Sequence, residues 1–205
     1  MIPVEPQPEP EDFEERVRKP GTEFLKKIPH PKSREWRGKE YWQTMLPKMR
    51  DSYKGICAYC AHWISSMTGS GSIDHFLPKS QYPALAYEWN NFRYSSLKFN
   101  RRKGIHNISD PFRIELDWFI IDFPSLIIKS NPNAPSGKIQ EIEDTIKILK
   151  LNTDTNCVKA RQSWIMNFCR DEISFSFLKR RAPFIAYELE RQALVEKIAT
   201  IMKTR

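Results

Sequence analysis

Apolar positions along the chain predict several short elements, and their spacing differs from one region to the next. In residues 33–55 the large apolar side chains fall on one helical side, between a serine that can cap a helix and a glycine that can end it. The pattern predicts a helix that contributes core residues, namely Trp36, Tyr41, Trp42 and Met45.

In the second half of the chain the spacing of apolar residues is different. The stretch "LDWFIIDFPSLIIKSN" is aromatic and β-branched with a proline at a break, which predicts two short strands, and the turn-rich "PNAPSGK" follows it. "DTIKILKLN" and residues 154–205 then show helical spacing, with apolar residues at Ile165, Phe168, Ile173, Phe177, Leu189, Leu194, Ile198 and Ile201.

Between these halves, the pattern predicts a strand, a loop, a second strand and a helix. "SIDHFLP" is typical of a strand that ends at its proline, and "NNFRY" of a second one. "LKFNRRKG" begins a helix with Asn100 and Lys103 on one face. We therefore expect an α+β fold, with a leading helix before this unit and a mostly helical region after it.

The first 32 residues differ in composition from the rest. Four prolines lie in the first ten residues, and residues 1–15 hold six acids and no lysine or arginine. This favours an extended acidic arm over a packed element. We divide the chain into this arm (1–32), a central region with its leading helix (33–110) and a C-terminal region (111–205).

Net charge and cysteine content narrow the function classes. The chain of 205 residues carries a formal charge of +8, and without residues 1–15 the remainder is near +14. Such a surplus favours a phosphate-rich partner. No apolar run is long enough to span a membrane and no signal-peptide pattern is present, so we expect a soluble cytoplasmic protein with reduced cysteines.

The residues of the central region suit phosphodiester chemistry. Asp74 and Asn100 offer hard oxygen ligands for one Mg²⁺ or Mn²⁺. His75 can be neutral near pH 7 and accept a proton from water. Nearby cations can hold a phosphate, namely Lys79, Arg101, Arg102 and Lys103. A solvated helix face is the simpler explanation for the "RRK" run, and its position beside Asn100 is what favours a phosphate contact.

This constellation resembles the HNH endonucleases, also called ββα-metal or His-Me finger nucleases, over roughly Cys57–Gly104. The motifs are the Asp74-His75 pair before "PKS", Asn91 before an apolar residue, and "NRRKG" beginning nine residues beyond Asn91. The resemblance implies His75 as general base, Asp74 and Asn100 as ligands of one divalent ion, and Asn91 as an asparagine that steadies the catalytic loop. It also implies products with a 3′-hydroxyl and a 5′-phosphate. Asn90 is an alternative to Asn91.

Many members of that family pair an early Cys-x-x-Cys with a second one before the final asparagine. Here Cys57 and Cys60 form the first pair, and Ser96 and Phe99 stand where the second would be. We expect the two cysteines to be structural and no zinc to be bound, unless His62 or His106 supplies substitute ligands.

Later motifs carry a looser likeness to HNH proteins that accompany ATPases in bacterial anti-phage systems such as Septu. These are "SDPF", the two strands, and "TIKILKLN" followed by "ARQSW". The likeness implies an ATPase partner, and DNA is the polymer that we expect as substrate. Two rival functions remain: an inactive nucleic-acid-binding regulatory subunit, and a nuclease of RNA or of single-stranded or modified DNA. No base-reading element is recognisable, so we expect weak sequence preference and strong salt sensitivity.

Overall fold

The computed structural model describes residues 1–67 and 70–199. It is an α+β protein whose described strands form two separate antiparallel pairs. The chain divides into two compact units. We call Glu5–Cys57 with Ile64–His106 the N-terminal unit, and Met1–Val4, Ala58–Trp63 and the chain from Asn107 onward the C-terminal unit.

The N-terminal unit contains the strand–strand–helix element that the sequence predicts. Strand β1 (Gly71–His75) pairs with β2 (Phe92–Ser96), and helix α3 (Leu97–Lys103) follows β2 directly. Proline ends the first strand region as expected, since it has no N–H to donate to a ladder. Two 3₁₀ turns, Pro83–Leu85 and Trp89–Asn91, lie in the loop between the strands.

The predicted extended arm is wrong for residues 14–27. A π-helical turn at Glu14–Arg18 continues into helix α1 (Lys19–Lys27). Phe13, Val17 and Phe24 are buried because their spacings of four and seven residues give one apolar helical stripe despite the surrounding charges. Phe13 lies edge-on to Trp89 and Phe92, with ring centroids 5.6 and 5.9 Å away, so this segment belongs to the core of the N-terminal unit.

The predicted helix in residues 33–55 is present only in its second half. Residues 33–38 form turns, Tyr41–Met45 is a 3₁₀ helix and α2 spans Leu46–Ser52. Gly38 has a φ of 73°, which interrupts a right-handed helix. The core assignment of Trp36, Trp42 and Met45 is confirmed, whereas Tyr41 is only partly buried.

The C-terminal unit contains the other strand pair and most of the longer helices. Strands β3 (Phe119–Asp122) and β4 (Ile127–Ser130) pair antiparallel, as the sequence predicts. The helical region is confirmed with breaks at Asp171, which has a φ of 59°, and before a proline. Its helices are α4 (Ile139–Ile148), α5 (Thr155–Cys169), α6 (Phe175–Arg181) and α7 (Pro183–Arg191). Ile201 lies outside the described residues. No described helix has both the length and the apolar character that a membrane crossing requires.

Candidate active site

The strand–strand–helix element positions the predicted chemistry. In the β1–β2 register, Asp74 lies opposite Arg93 and His75 opposite Phe92. Ser96 ends β2 and caps α3, because its hydroxyl accepts a hydrogen bond from the backbone N–H of Phe99 at 3.4 Å. The cap sets where the helix begins, and this places Asn100 and Lys103 on the face that contacts β1.

The His75 imidazole is held in one tautomer by the backbone. Its Nε2 lies 2.9 Å from the carbonyl oxygen of Ala86. A carbonyl can only accept, so Nε2 must carry the proton and the lone pair is on Nδ1. Nδ1 has no hydrogen-bond partner among the described residues. The ring therefore presents a proton acceptor.

Aromatic packing keeps the same ring neutral. Trp42 and Phe92 meet it edge-on, with centroids 4.6 and 5.2 Å away, and the side chain is left 8% exposed. Burial lowers the pKa of His75 from 6.5 to about 3, the Ala86 hydrogen bond opposes the shift, and the charges of Lys79 and Lys103 add to it. The imidazole is thus in its basic form throughout the physiological range.

Asp74 is buried in an ion pair that sequence analysis did not predict. Its Oδ2 lies 3.1 Å from the Nζ of Lys103, and the two side chains are 4% and 0% exposed. Lys103 also donates to the carbonyl oxygen of His75 at 2.8 Å. The predicted nucleic-acid contact by Lys103 does not agree with this burial. The residue instead ties α3 to the end of β1.

Asn100 contacts β1 at the two residues that precede Asp74. Its Nδ2 donates to the carbonyl oxygen of Ile73 at 3.1 Å and to the Ser72 hydroxyl at 3.2 Å. Since the Ile73 carbonyl can only accept, the amide nitrogen faces the strand and Oδ1 points away from it. Oδ1 accepts no hydrogen bond from the described residues.

The oxygen donors fit a hard divalent cation better than zinc. A carboxylate and an amide oxygen are typical of Mg²⁺ or Mn²⁺ sites, and the open Oδ1 of Asn100 is an acceptor in need of a cation or donor. Asp74 and Asn100 are the residues that would hold the ion. The ammonium of Lys103 already compensates the charge of Asp74, so an ion would have to share or displace it.

Asn91 braces the loop that follows β1. Its Oδ1 accepts from the backbone N–H of Leu77 at 2.8 Å, and its Nδ2 donates to the carbonyls of Leu77 and Leu85 at 3.0 and 3.1 Å. Asn90 is exposed. Between the two asparagines that the sequence left open, Asn91 is the one that makes these loop contacts, and it fixes the segment that carries Ala86.

The remaining predicted cations differ in their exposure. Lys79 is half-buried, and its Nζ lies 5.5 Å from the ring centroids of both Trp36 and Trp42. Burial lowers its pKa, and the carboxylates of Glu40 and Asp74 oppose the shift. Arg101 is exposed, and Arg102 packs over Phe99 at 5.5 Å. Of these three cations, Lys79 is therefore the one whose charge acts on His75.

The cysteine pair is divided between the two units, with Cys57 in the N-terminal and Cys60 in the C-terminal one. The Cys57 sulfur accepts a hydrogen bond from the backbone N–H of Ser96 at 3.4 Å. His62 is half-buried, and burial lowers its pKa to about 4, whereas His106 is exposed. Over residues 1–67 and 70–199, no three His, Cys, Asp or Glu side chains gather as a metal site.

Sequence analysis missed three contributors to the site. The carbonyl of Ala86 acts through the backbone, so no side-chain pattern could indicate it. Trp42 was expected to be a core residue, and its ring also packs edge-on against His75. For Lys103, the available signal was its spacing of three from Asn100, which places both on the helix face toward Asp74.

Comparison with known proteins gives one distant relative. No family model matches the chain. The chain is 30% identical over 115 residues to the Septu protein PtuB of Bacillus thuringiensis. The match covers 56% of this chain and 42% of that protein, so the chain spans less than half of its relative's length. The predicted likeness to a Septu protein is thus supported in part.

Proposed function

We propose that this protein is a metal-dependent endonuclease of the HNH type that hydrolyses phosphodiester bonds. One observation carries the proposal. The β1–β2–α3 element carries a neutral imidazole, His75, with Nε2 bonded to a carbonyl and Nδ1 open; the carboxylate of Asp74 precedes it on β1, and the amide of Asn100 on α3 bonds to the same strand. A base, two hard ligands and nearby cations are the groups that hydrolysis of a phosphodiester requires.

His75 would act as general base through Nδ1, accepting a proton from the attacking water. Its low pKa keeps it unprotonated, and a polyanionic substrate beside it would raise that pKa and so favour proton uptake. Lys79 would place positive charge near the phosphate, and Asn91 would hold the loop that orients His75. A divalent ion held by Asp74 and Asn100 would supply Lewis-acid stabilisation of the phosphate charge.

The substrate we propose is DNA, with RNA as the alternative polymer. Support comes from the charge of the chain, +8 overall, and from the exposed cations Lys98 and Arg101 on α3. These contacts would be made to phosphates, which carry no sequence information. Weak sequence preference and steep salt dependence are expected.

The biological role we propose is anti-phage defence, with an ATPase as partner. The likeness to the Septu protein PtuB supports the defence role. The ATPase follows from the resemblance to HNH proteins of such systems. Co-expression with a candidate ATPase of such a defence system, followed by size exclusion, tests the partnership. A joint peak supports it, and two independent peaks contradict it.

The test of the enzyme is cleavage of supercoiled plasmid and of mixed RNA, with Mg²⁺, Mn²⁺ or EDTA. His75→Ala should lower the rate by about 10² to 10⁴, the usual contribution of a general base. His30→Ala is the matched control, since His30 is exposed in the same unit. Metal-dependent cleavage that His75→Ala retains at the wild-type rate would refute the assignment of the base.

A second candidate, a nucleic-acid-binding subunit without its own cleavage, is favoured by the buried Asp74–Lys103 pair. An ammonium at 3.1 Å competes with a metal ion for the carboxylate. Titration of Mn²⁺ followed by its electron paramagnetic resonance signal separates the two candidates. Loss of free Mn²⁺ signal that requires Asp74 and Asn100 supports the nuclease, whereas no uptake supports the second candidate.

A further inference from the structure

The C-terminal unit carries a continuous surface of aromatic rings and arginines that lies outside the candidate active site. Helix α6 contributes Phe177, Arg180 and Arg181, α5 contributes Trp164, and the segment Ala58–Trp63 contributes Trp63. We call these five residues the aromatic–arginine surface. Four of them are half-exposed, and Arg180 is exposed.

The surface is ordered by contacts within its own unit. The Arg181 guanidinium lies 3.9 Å from the Trp63 ring centroid and 5.6 Å from that of Phe177. The backbone N–H of Trp63 donates to the carbonyl of Arg181 at 2.7 Å, which holds the end of α6 against this tryptophan. Phe177 continues the row to Trp164 at 6.3 Å, with Arg180 at 5.8 Å from the Phe177 ring. The result is one row of alternating π and guanidinium faces.

The two arginines of the surface are not paired with acidic side chains in the described part of the chain. Arg180 and Arg181 make no salt bridge with any described carboxylate, while the neighbouring Lys179 pairs with Glu190 at 2.6 Å. Asp171 and Glu172 lie on the turn before α6, and Glu172 is 3.9 Å from Arg170. Cations in the last turn of a helix also favour its dipole. That effect accounts for the two charges but not for the half-exposed rings on which they stack.

We propose that the aromatic–arginine surface binds a single-stranded polynucleotide. Unstacked bases can lie on the rings of Trp63, Phe177 and Trp164, while the two guanidinium groups contact phosphates or stack on bases themselves. Duplex bases have no free faces, so a duplex would use the charges alone. The proposal concerns binding and does not rest on the nuclease assignment.

The test is fluorescence anisotropy of labelled oligo-dT and oligo-U, with a blunt duplex for comparison, using the full chain in EDTA. Arg180→Gln/Arg181→Gln should weaken single-strand binding about tenfold or more. It should also make the logarithmic salt dependence shallower by about 1.4, at about 0.7 for each lost phosphate contact. The charge-matched control is Lys147→Gln/Lys150→Gln, which removes two exposed cations of the same unit.

Two further variants test stacking. Phe177→Leu keeps apolar bulk and Arg181→Lys keeps the charge, yet both remove a flat face, so each should weaken single-strand binding about fivefold or more while duplex binding is unchanged. Melting temperatures check that each variant is folded. Lys98→Gln/Arg101→Gln measures any contribution of α3 in the other unit.

Each outcome of these experiments either supports or overturns the proposal. Loss of binding in the α6 variants and not in the control supports the proposal, and the better of the two oligomers identifies DNA or RNA as the ligand. Four outcomes overturn it: no binding by the wild type, equal loss in the control, arginine-dependent binding that Phe177→Leu and Arg181→Lys leave intact, or loss confined to Lys98→Gln/Arg101→Gln. The last of these leaves the nuclease proposal standing.

Discussion

The two antiparallel strand pairs are of similar length, but they differ in whether the polar atoms near them have hydrogen-bond partners. At β3 the N–H of Ile121 donates to Glu188 at 2.7 Å, and its carbonyl accepts from Gln192 at 2.8 Å. At β4 both backbone groups of Ile128 bond to the Asn152 side chain, at 2.9 and 2.7 Å. These side chains substitute for a third strand at each edge.

The β1–β2 pair instead leaves acceptors open. His75 Nδ1 and Asn100 Oδ1 have no partner among the described residues, although both side chains are otherwise fixed by hydrogen bonds to backbone carbonyls. The contrast fits a structural role for completed networks such as that of Glu188, and it fits the chemical role proposed above for oriented side chains that keep a spare acceptor.

The largest effect is expected from breaking the ion pair beneath the site. Lys103→Met leaves the Asp74 carboxylate buried without its partner, and removal of one member of such a pair costs about 3 to 5 kcal/mol. Asp74→Ala/Lys103→Met should recover most of that loss, because no buried charge is then left without its counter-charge. Urea unfolding monitored by tryptophan fluorescence measures the free energy.

The control for this prediction is on the same helix. Lys98 is exposed, so Lys98→Met should change the free energy of unfolding by less than about 0.5 kcal/mol. If Lys103→Met also changes the free energy of unfolding by less than about 0.5 kcal/mol, water reaches the Asp74 carboxylate. The prediction, which depends on a buried ion pair, would then be wrong.

A smaller effect is expected from the completed network of the other pair. Glu188→Ala leaves the Ile121 N–H without an acceptor and the Arg191 guanidinium without its 2.6 Å partner, at a cost of about 1 to 3 kcal/mol. Nucleic-acid cleavage by the folded variant should equal that of the wild type. Glu196→Ala, an exposed acid in the same unit, is the control. A change in cleavage without a change in stability would contradict the structural role.

Much of the site's framework could be predicted from sequence because its elements are short and bounded by local signals. The proline after β1 and the spacing of Asn100 and Lys103 are visible in the chain, whereas the Ser96 cap of α3 is seen only in the structure. The Ala86 contact to His75 is not, because a loop carbonyl 11 residues away has no residue-type signature.

The acidic arm shows the opposite case. Its prolines and charges favour an extended chain, yet Phe13, Val17 and Phe24 are buried and the segment is helical from residue 14. Gly21 allows this, because a Cβ there would lie 2.1 Å from the Tyr87 ring. Tertiary contacts of this kind override local composition, and no single-chain pattern of charges indicates them.

The smallest expected effect is the proton linkage of His75. Because its pKa falls from 6.5 to about 3 on folding, the unfolded chain takes up a proton between these values and the folded chain does not. The stability due to neutral His75 is therefore complete above pH 6.5 and is lost as pH falls from 6.5 toward 3. At pH 5.5 the loss should be about 1.4 kcal/mol for one such group.

His75→Asn removes the imidazole that takes up this proton, whereas His30→Asn leaves it in place. Comparison of the two variants separates the contribution of His75 from the titration of the carboxylates. The measurement is the urea midpoint at pH 7.5, 6.5 and 5.5. The destabilisation caused by His75→Asn should shrink as pH falls, and His30→Asn, at an exposed histidine of the same unit, is the matched control variant. A constant difference for both variants would mean that water reaches the imidazole freely. The open Nδ1 would then be an ordinary surface atom, and the contrast between the two strand pairs would lose its chemical meaning.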